Sequence, residues 1–289
     1  MRGVHCQMLL LLIIFLTFRR YHSKHIKNMA DENPQNNENN QQQNQSPTVK
    51  QYLITNKYDT CLWLIRIYMI FSTVLYIVPL LGMQFSASSY KIVLIGSAAI
   101  SALRIHQRMP RIQFSVEFAK QLVLEDSFHY FSYSVLFLIG SQPATVILMP
   151  IFIFAVMHAA TYTRKVIEVS GTENSLVLKL RQLISKIENR EIQQQMLLFI
   201  ATTEILVFAL SLLMMFGGQA TILVPFFYYR FLQLRYSSRR NPYSKLAFSR
   251  LRLSIEQLSN HPKCPSIGRK ILLGIVSIAI RFCPTQAAA

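Results

Sequence analysis

The stretch PFFYYRFLQLRYSSRRNPY, residues 225–243, is the clearest indication of the fold class of this chain. Phenylalanine and tyrosine dominate its first half, and four arginines follow between Arg230 and Arg240. Aromatic rings at the edge of an apolar run suit the headgroup layer of a membrane, and arginine-rich loops stay on the cytosolic side during insertion. The stretch therefore predicts that the chain leaves a membrane here and continues in the cytosol.

The composition of the whole chain also indicates a membrane protein. Of its 289 residues, 52% are hydrophobic, and the mean hydropathy is +0.29, so the chain is more apolar than most soluble domains. The net charge is nevertheless +17, and residues 230–289 contain eleven lysines or arginines and one acid. Beside membrane segments, this charge favours contact with anionic lipid or an orienting role in insertion. No nucleic acid partner is expected, because no nucleic-acid-binding motif is present.

The sequence contains no recognisable enzyme, metal or cofactor motif. Nucleophile elbows, zinc helices and phosphate loops are absent. Four cysteines without metal or disulfide spacing predict no disulfide framework. Glu125 and His129 stand four residues apart and could share a metal, but acids at such a position more often favour the start of a helix. The chain is therefore expected to be non-enzymatic, with no cofactor and no metal.

The first 51 residues are expected to lie outside the membrane domain. Residues 1–28 form a basic and apolar extension, whose apolar run at 8–18 is shorter than the ~20 residues that a spanning helix needs. The run suits the core of a signal peptide, but no cleavage site follows, and Met29 opens a polar segment as a second start would. An upstream extension is therefore favoured. Residues 29–51 are rich in Asn and Gln and are predicted to be disordered.

Residues 52–236 are predicted to form a helical membrane domain. They contain six apolar segments, of which only the first and fifth are long enough to span a bilayer comfortably. The segments are residues 62–81, 90–103, 128–139, 144–160, 196–216 and 221–234.

The connections between these segments predict three hairpins. Residues 82–89, 140–143 and 217–220 are short and uncharged, whereas the other connections are basic. Basic connections stay in the cytosol, so both termini are expected there. The hairpins could cross a thin membrane of ~27 Å, or they could enter mainly the cytosolic leaflet as wedges. The predicted fold class is an all-α, polytopic integral membrane protein of helical hairpins with cytosolic amphipathic helices.

Amphipathic helices are predicted outside the bilayer. Residues 174–187 place Leu176, Leu180, Leu183 and Ile187 on one face, and residues 243–258 are also amphipathic. Residues 266–282, in the basic cytosolic tail 237–289, combine a narrow polar stripe with a wide apolar face. This helix is predicted to lie in the headgroup plane; the alternative is packing on the protein itself. The predicted membrane-surface residues are Arg235, Arg239, Arg240, Lys270, Ile271, Ile275, Ile278, Arg281 and Phe282.

Two charged residues lie inside the longest apolar segments. Arg66 is near the start of the first segment and Glu204 is in the middle of the fifth. A charge at membrane depth is costly and usually has a partner. Both segments enter from the cytosol in the hairpin arrangement, so the two depths differ by about four residues, or ~6 Å. We expect an Arg66–Glu204 pair; alternatively, Arg66 extends to the interface while Glu204 is protonated or faces water.

Five motifs resemble the transmembrane protein 33 family, which includes insect Krüppel homolog 2 and, more distantly, yeast nuclear-pore membrane proteins. The resemblance covers residues 52–285, and MADENP from Met29 fits the usual start of the family. The motifs are TNKYDTCLWLIR, SALRIHQRMP, LEDSFHY, MHAATYTRKV and YYRFLQLRYSSRRNPY.

The resemblance implies a multi-pass protein of the endoplasmic reticulum membrane and nuclear envelope, without catalytic activity and with a cytosolic C-terminus. It implies a role in tubular membrane organisation with the lipid bilayer and reticulon-like proteins as partners, and in nuclear pore assembly or distribution with pore components. It also implies a membrane-binding helix at residues 266–282. The competing hypothesis is a regulator or subunit of an ion or lipid transporter, for which Arg66 and Glu204 are the only polar candidates at mid-depth.

Overall fold

The computed structural model describes residues 48–78, 83–109, 115–172, 174–238 and 241–260, together with positions 265, 269, 270 and 274. Within these residues the chain forms ten α-helices and no strand longer than an isolated bridge, which confirms the all-α prediction. Residues 1–47 and most of the 266–282 helix lie outside the described residues. The helices are α1 (Val49–Thr55), α2 (Lys57–Ile77), α3 (Met83–Arg108), α4 (Val116–Leu124), α5 (Asp126–Gly140), α6 (Thr145–Ser170), α7 (Ser175–Glu188), α8 (Arg190–Phe216), α9 (Leu223–Ser237) and α10 (Pro242–Ser259).

Four of these helices are long and apolar enough to cross a membrane: α2, α3 from Ser86 onward, α6 and α8. The expectation that only the first and fifth apolar segments reach this length is therefore wrong. The second and fourth segments belong to helices of 26 residues each, because α3 and α6 continue through polar and charged residues at their ends. Helices α5 and α9 have 15 residues each.

Local signals explain where several helices begin and end. The Ser115 hydroxyl accepts a hydrogen bond from the Phe118 amide at the start of α4, and the Asn189 side chain accepts one from the Glu191 amide at the start of α8. Such caps satisfy amides that have no partner within the helix. Gly171 ends α6 with a φ of 58°, a backbone conformation that glycine adopts without steric cost.

The hairpin prediction is confirmed for two of the three pairs. Helix α2 packs along α3, and α9 packs along α8. Helices α5 and α6 are consecutive, but their backbones approach each other at few points: α5 lies mainly against α3 and α9, and α6 against α2 and α8. The membrane domain is therefore one interleaved bundle rather than three separate hairpins.

The uncharged connections between α5 and α6 and between α8 and α9 are bonded to each other. The Gln142 amide donates to the Gln219 carbonyl at 2.9 Å, and the Thr221 amide donates to the Gly140 carbonyl at 2.9 Å. We call residues 140–143 and 217–221 the paired tips. Backbone groups cannot remain unsatisfied in lipid, and this pairing satisfies four of them.

The start of α3 lies toward the same end of the bundle as the paired tips. Ser134 on α5 donates to Ser97 on α3, while Arg108 near the end of α3 bonds to Glu125 at the start of α5. The two helices are therefore antiparallel. Uncharged connections gather at one end of the bundle and basic connections at the other, as the charge pattern predicted.

A cluster of buried aromatic rings holds α5 and α9 together. Tyr133, Phe137, Tyr228 and Phe231 form contacts with ring centroids 4.9–5.7 Å apart. The Tyr133 hydroxyl donates to the Ile147 carbonyl, and the Tyr228 hydroxyl donates to the Glu204 carbonyl. These bonds link the cluster to α6 and α8, and they satisfy the two hydroxyls inside an apolar core.

Candidate functional site

A buried charge network lies at the basic end of the aromatic cluster. Glu204 is 1% exposed and Arg235 is 4% exposed. The Arg235 Nε donates to Glu204 Oε2 at 3.2 Å, and the Tyr130 hydroxyl donates to Glu204 Oε1. On its other side, Arg235 Nη1 lies 3.6 Å from Asp126 Oδ1. Both charges of the pair are therefore compensated, as burial requires.

The structure does not bring Arg66 to Glu204. The cation at Glu204 is Arg235, which comes from α9 and not from α2. The expected Arg66–Glu204 pair was based on depth along two helices, which says nothing about the direction each side chain faces. Packing of α9 along α8 supplies a nearer partner.

The same pair corrects the prediction that Arg235 is a membrane-surface residue. On α9, Tyr228, Phe231, Leu232 and Arg235 are all buried. Their spacing of three, four and seven residues places them on one helical face. This periodicity is visible in the sequence and could have shown that Arg235 faces the bundle; the arginine-rich context led to the opposite interpretation.

Glu125 and His129 are occupied by partners within the protein. Glu125 binds Arg108 at 2.7 Å, and His129 Nε2 donates to the Val123 carbonyl at 2.7 Å. Among the described residues, no group of three His, Cys, Asp or Glu side chains could hold a metal.

A cavity of about 290 Å³ opens beside this network, in the half of the bundle nearer the basic connections. Helix α3 lines it with a polar stripe of Ser97, Ser101, Arg104 and Arg108, spaced four, three and four residues apart. Such spacing keeps the stripe on one helical face. We call this space the arginine cavity. Its lining also includes Arg66 from α2, Asp126 and Tyr130 from α5, His158 from α6 and Arg235 from α9.

The arginine cavity carries more positive than negative charge. Asp126 is the only carboxylate in its described lining, and it lies beside Arg235. Arg108 is paired with Glu125. No carboxylate within the described residues lies at ion-pair distance from Arg66 or Arg104. Arg66 is nevertheless only 7% exposed, so the cavity contains a buried guanidinium that no described carboxylate contacts.

The outer surface of the bundle carries an apolar belt of uneven height. On α2 the exposed apolar side chains run from Leu64 to Val78, and on α8 from Phe199 to Phe216, which corresponds to ~21–26 Å. On α9 the exposed apolar run from Ile222 is interrupted after Phe227, and Arg230 is exposed. Measured from Ile222 to the exposed Arg230, the belt on that side is at most ~12 Å high.

The apolar face predicted for residues 174–187 is only partly used for packing. Ile184 is buried against Ala160 and Ile167 of α6, with Ile187 beside them. Leu176, Leu180 and Leu183 are exposed. Helix α7 therefore has an apolar stripe that the described protein does not cover.

Most of the predicted membrane-surface residues lie outside the described part of the chain. Lys270 is described and is exposed. The others are Arg239, Arg240, Ile271, Ile275, Ile278, Arg281 and Phe282.

Comparison with known proteins agrees with the motifs. Residues 41–285 match the family described as Transmembrane protein 33/Nucleoporin POM33. Transmembrane protein 33 of Rattus norvegicus is 44% identical over 237 residues, which cover 82% of this chain and 94% of the relative. The Homo sapiens protein of the same name is 44% identical over 235 residues, or 81% and 93%. Krueppel homolog 2 of Drosophila melanogaster is 37% identical over 242 residues, or 84% of each chain.

No solved structure matches significantly. The four long apolar helices and these matches together show that the chain is a membrane protein of the transmembrane protein 33/Pom33 family.

Proposed function

We propose that this protein is a non-enzymatic organiser of membrane shape in the endoplasmic reticulum and nuclear envelope, with its C-terminus in the cytosol. Its partners in this proposal are the lipid bilayer, reticulon-like membrane-shaping proteins and nuclear pore components. The word Nucleoporin in the name of the matched family supports the connection with pores. The single observation that carries the proposal is the uneven apolar belt.

A belt of this kind forces the bilayer to change thickness around the protein. A hydrocarbon core is ~30 Å thick, whereas the belt is ~21–26 Å high on α2 and α8 and ~12 Å high on α9. A bilayer adapts to a short apolar surface by thinning, at a cost of fractions of a kcal/mol per Å. The thinning is greatest on the α9 side, so the protein imposes a gradient of thickness on the lipid.

The basic end supplies a second influence on membrane shape. Helix α7 exposes four leucines beside Lys179 and Lys186, and the predicted helix at 266–282 follows the same pattern in the sequence. Amphipathic helices of this type insert their apolar side at the headgroup boundary. Insertion at the basic end adds area to one leaflet only, and this favours curvature toward the other leaflet.

The proposal can be tested with the full chain reconstituted in large vesicles, by counting tubules in electron cryomicrographs. The Arg230→Leu variant extends the apolar belt of α9 by about one turn and should roughly halve the number of tubules, because it reduces the mismatch. Arg250→Leu makes the same change at an exposed position on α10 and should leave tubulation unchanged. Spherical vesicles with correctly inserted wild-type protein would contradict the proposal.

The transporter-regulator hypothesis has less support. It needs polar groups at mid-depth that are free to bind a substrate, and Glu204 already binds Arg235 and Tyr130. Arg66 remains on the wall of the arginine cavity.

A further inference from the structure

Arg66 is a buried cation in an apolar helix. Its side chain is buried on α2, within a helix long and apolar enough to span a membrane. An arginine near the centre of such a helix costs ~2.5–3.5 kcal/mol unless a partner or water compensates it. The carboxylate in the cavity lining and those beside it are occupied elsewhere: Glu204 and Asp126 by Arg235, and Glu125 by Arg108. Asp59, on the same helix as Arg66, acts on Arg66 and Arg104 only from beyond ion-pair distance and so compensates them only in part. The compensating anion is therefore expected to come from outside the protein.

Arg104 and Arg108 connect Arg66 to the surface. Arg108 is exposed, Arg104 is half-buried and Arg66 is buried, and all three line the arginine cavity. Guanidinium groups bind phosphate oxygens through paired N–H donors. Ser101, which lies between Ser97 and Arg104 on the α3 stripe, adds a hydroxyl that can donate to the same ligand.

We propose that the arginine cavity binds the phosphate monoester headgroup of an anionic lipid from the leaflet at the basic end. A phosphate monoester carries ~1.5–2 negative charges at neutral pH, which suits the two guanidinium groups, Arg66 and Arg104, that no described carboxylate contacts. A phosphodiester headgroup carries one phosphate charge and would leave part of the excess positive charge uncompensated.

The walls of the cavity favour a lipid over a soluble phosphate. Apolar side chains from four helices stand among its polar groups: Met69, Ile100, Ile151 and Leu197. A soluble ion gains nothing from these surfaces, whereas the glycerol and first acyl carbons of a lipid bury apolar area against them. The cavity of about 290 Å³ is close to the lower limit of ligand sites, ~300 Å³, so it suits a headgroup and not a whole lipid.

Native mass spectrometry of the full-length protein in detergent tests this site. Dioctanoyl phosphatidic acid is the monoester probe, and dioctanoyl phosphatidylglycerol is the diester control of equal chain length. The wild type should bind phosphatidic acid at least about tenfold more tightly, as expected for a site built on charged hydrogen bonds. Arg66→Gln and Arg104→Gln should each weaken this binding by about tenfold or more, and Arg181→Gln, the same change at an exposed position on α7, should not.

A stability measurement keeps the test valid if a variant binds nothing. Without lipid, Arg66→Gln should unfold at the same or a higher temperature than the wild type, because it removes a buried charge that no carboxylate contacts. If Arg66→Gln does not fold, the half-buried Arg104→Gln carries the binding test.

The same binding experiment with glycerol 3-phosphate and inorganic phosphate tests whether the ligand must be a lipid. Weaker binding of both, still dependent on Arg66 and Arg104, supports the lipid as the ligand. If either soluble phosphate binds as tightly as phosphatidic acid, the cavity is a phosphate site but its assignment to a lipid is overturned. Equal affinity for phosphatidic acid and phosphatidylglycerol, or unchanged binding by Arg66→Gln and Arg104→Gln, overturns the whole proposal. None of these outcomes depends on the membrane-shaping function.

Discussion

At the scale of single residues, Glu204 shows how a buried charge selects its partner. Its carboxylate receives one bond from Arg235 and one from Tyr130. The Glu204→Gln variant should lower the free energy of unfolding by about 3 kcal/mol, because it leaves Arg235 buried with only Asp126 beside it. The Glu204→Gln/Arg235→Met double variant should lose less than the sum of the two single variants. Denaturant unfolding in micelles would measure this coupling.

A matched pair of variants controls for general effects of removing charge. Arg66→Met and Glu204→Gln should be additive to within ~0.5 kcal/mol, because the two residues share no contact. If the free energies of unfolding lost in Glu204→Gln and Arg235→Met were also additive, the proposed coupling between Glu204 and Arg235 would be contradicted.

The sequence predicted that Glu204 needs a partner but not which residue provides it. The cost of a bare carboxylate in an apolar segment is a general property of membranes. The choice between Arg66 and Arg235 depends on how α9 is rotated against α8, and only the spacing of Tyr228, Phe231, Leu232 and Arg235 contains that information. Basic clusters near a membrane end are usually exposed, and here one member of the cluster turns inward.

At the scale of elements, the paired tips should be sensitive to small changes in volume. A Cβ atom added to Gly140 would lie 2.5 Å from Val224 Cγ2. The Gly140→Ala variant should therefore lower the free energy of unfolding by ~1–3 kcal/mol and separate α5 from the start of α9. Micelle unfolding measures the loss, and faster hydrogen exchange of the Gln142 and Thr221 amides would show that the tips have opened.

Gln142→Ala is the control for this prediction. The Gln142 side chain is exposed, and only its backbone amide takes part in the pairing. Its substitution should change the free energy of unfolding by no more than ~0.5 kcal/mol. If Gly140→Ala behaves like Gln142→Ala, the close approach to Val224 has no energetic importance.

The elements were predicted unevenly, for identifiable reasons. Uncharged and basic connections were separated correctly, because that rule depends on charge alone. Helix lengths were underestimated for α3 and α6, because apolar runs mark the part of a helix that meets lipid or core, not where its hydrogen bonding stops. The α5–α6 hairpin was predicted from a short connection, but α5 packs its backbone mainly against α3 and α9 and contacts α6 through the side chains of Tyr130 and Tyr133.

At the scale of the whole molecule, the sequence predicted an all-helical bundle with charged and uncharged ends, and it missed the arginine cavity. Ser97, Ser101, Arg104 and Arg108 have helical spacing in the sequence, but α2, α5 and α6 must come together before that stripe lines a space. The spacing of residues within one helix indicates that the helix has a polar face. A cavity forms only where several helices pack around that face, and hydropathy does not show which helices are neighbours.

The paired tips decide between a thinned bilayer and a one-leaflet wedge, the two geometries that fit the sequence. Gln142 and Gln219 are exposed at the tips, and such amide side chains are costly in hydrocarbon, so the tips should reach water on the side opposite the basic connections. In a cysteine-free background reconstituted with one orientation, Gln142→Cys should react with an impermeant maleimide only from that side. Ser249→Cys, exposed on α10, should react only from the basic side. A Gln142→Cys that reacts from neither side until detergent is added would place the tips inside the hydrocarbon core. The protein would then displace lipid in one leaflet only, and curvature would follow from that displacement without any thinning.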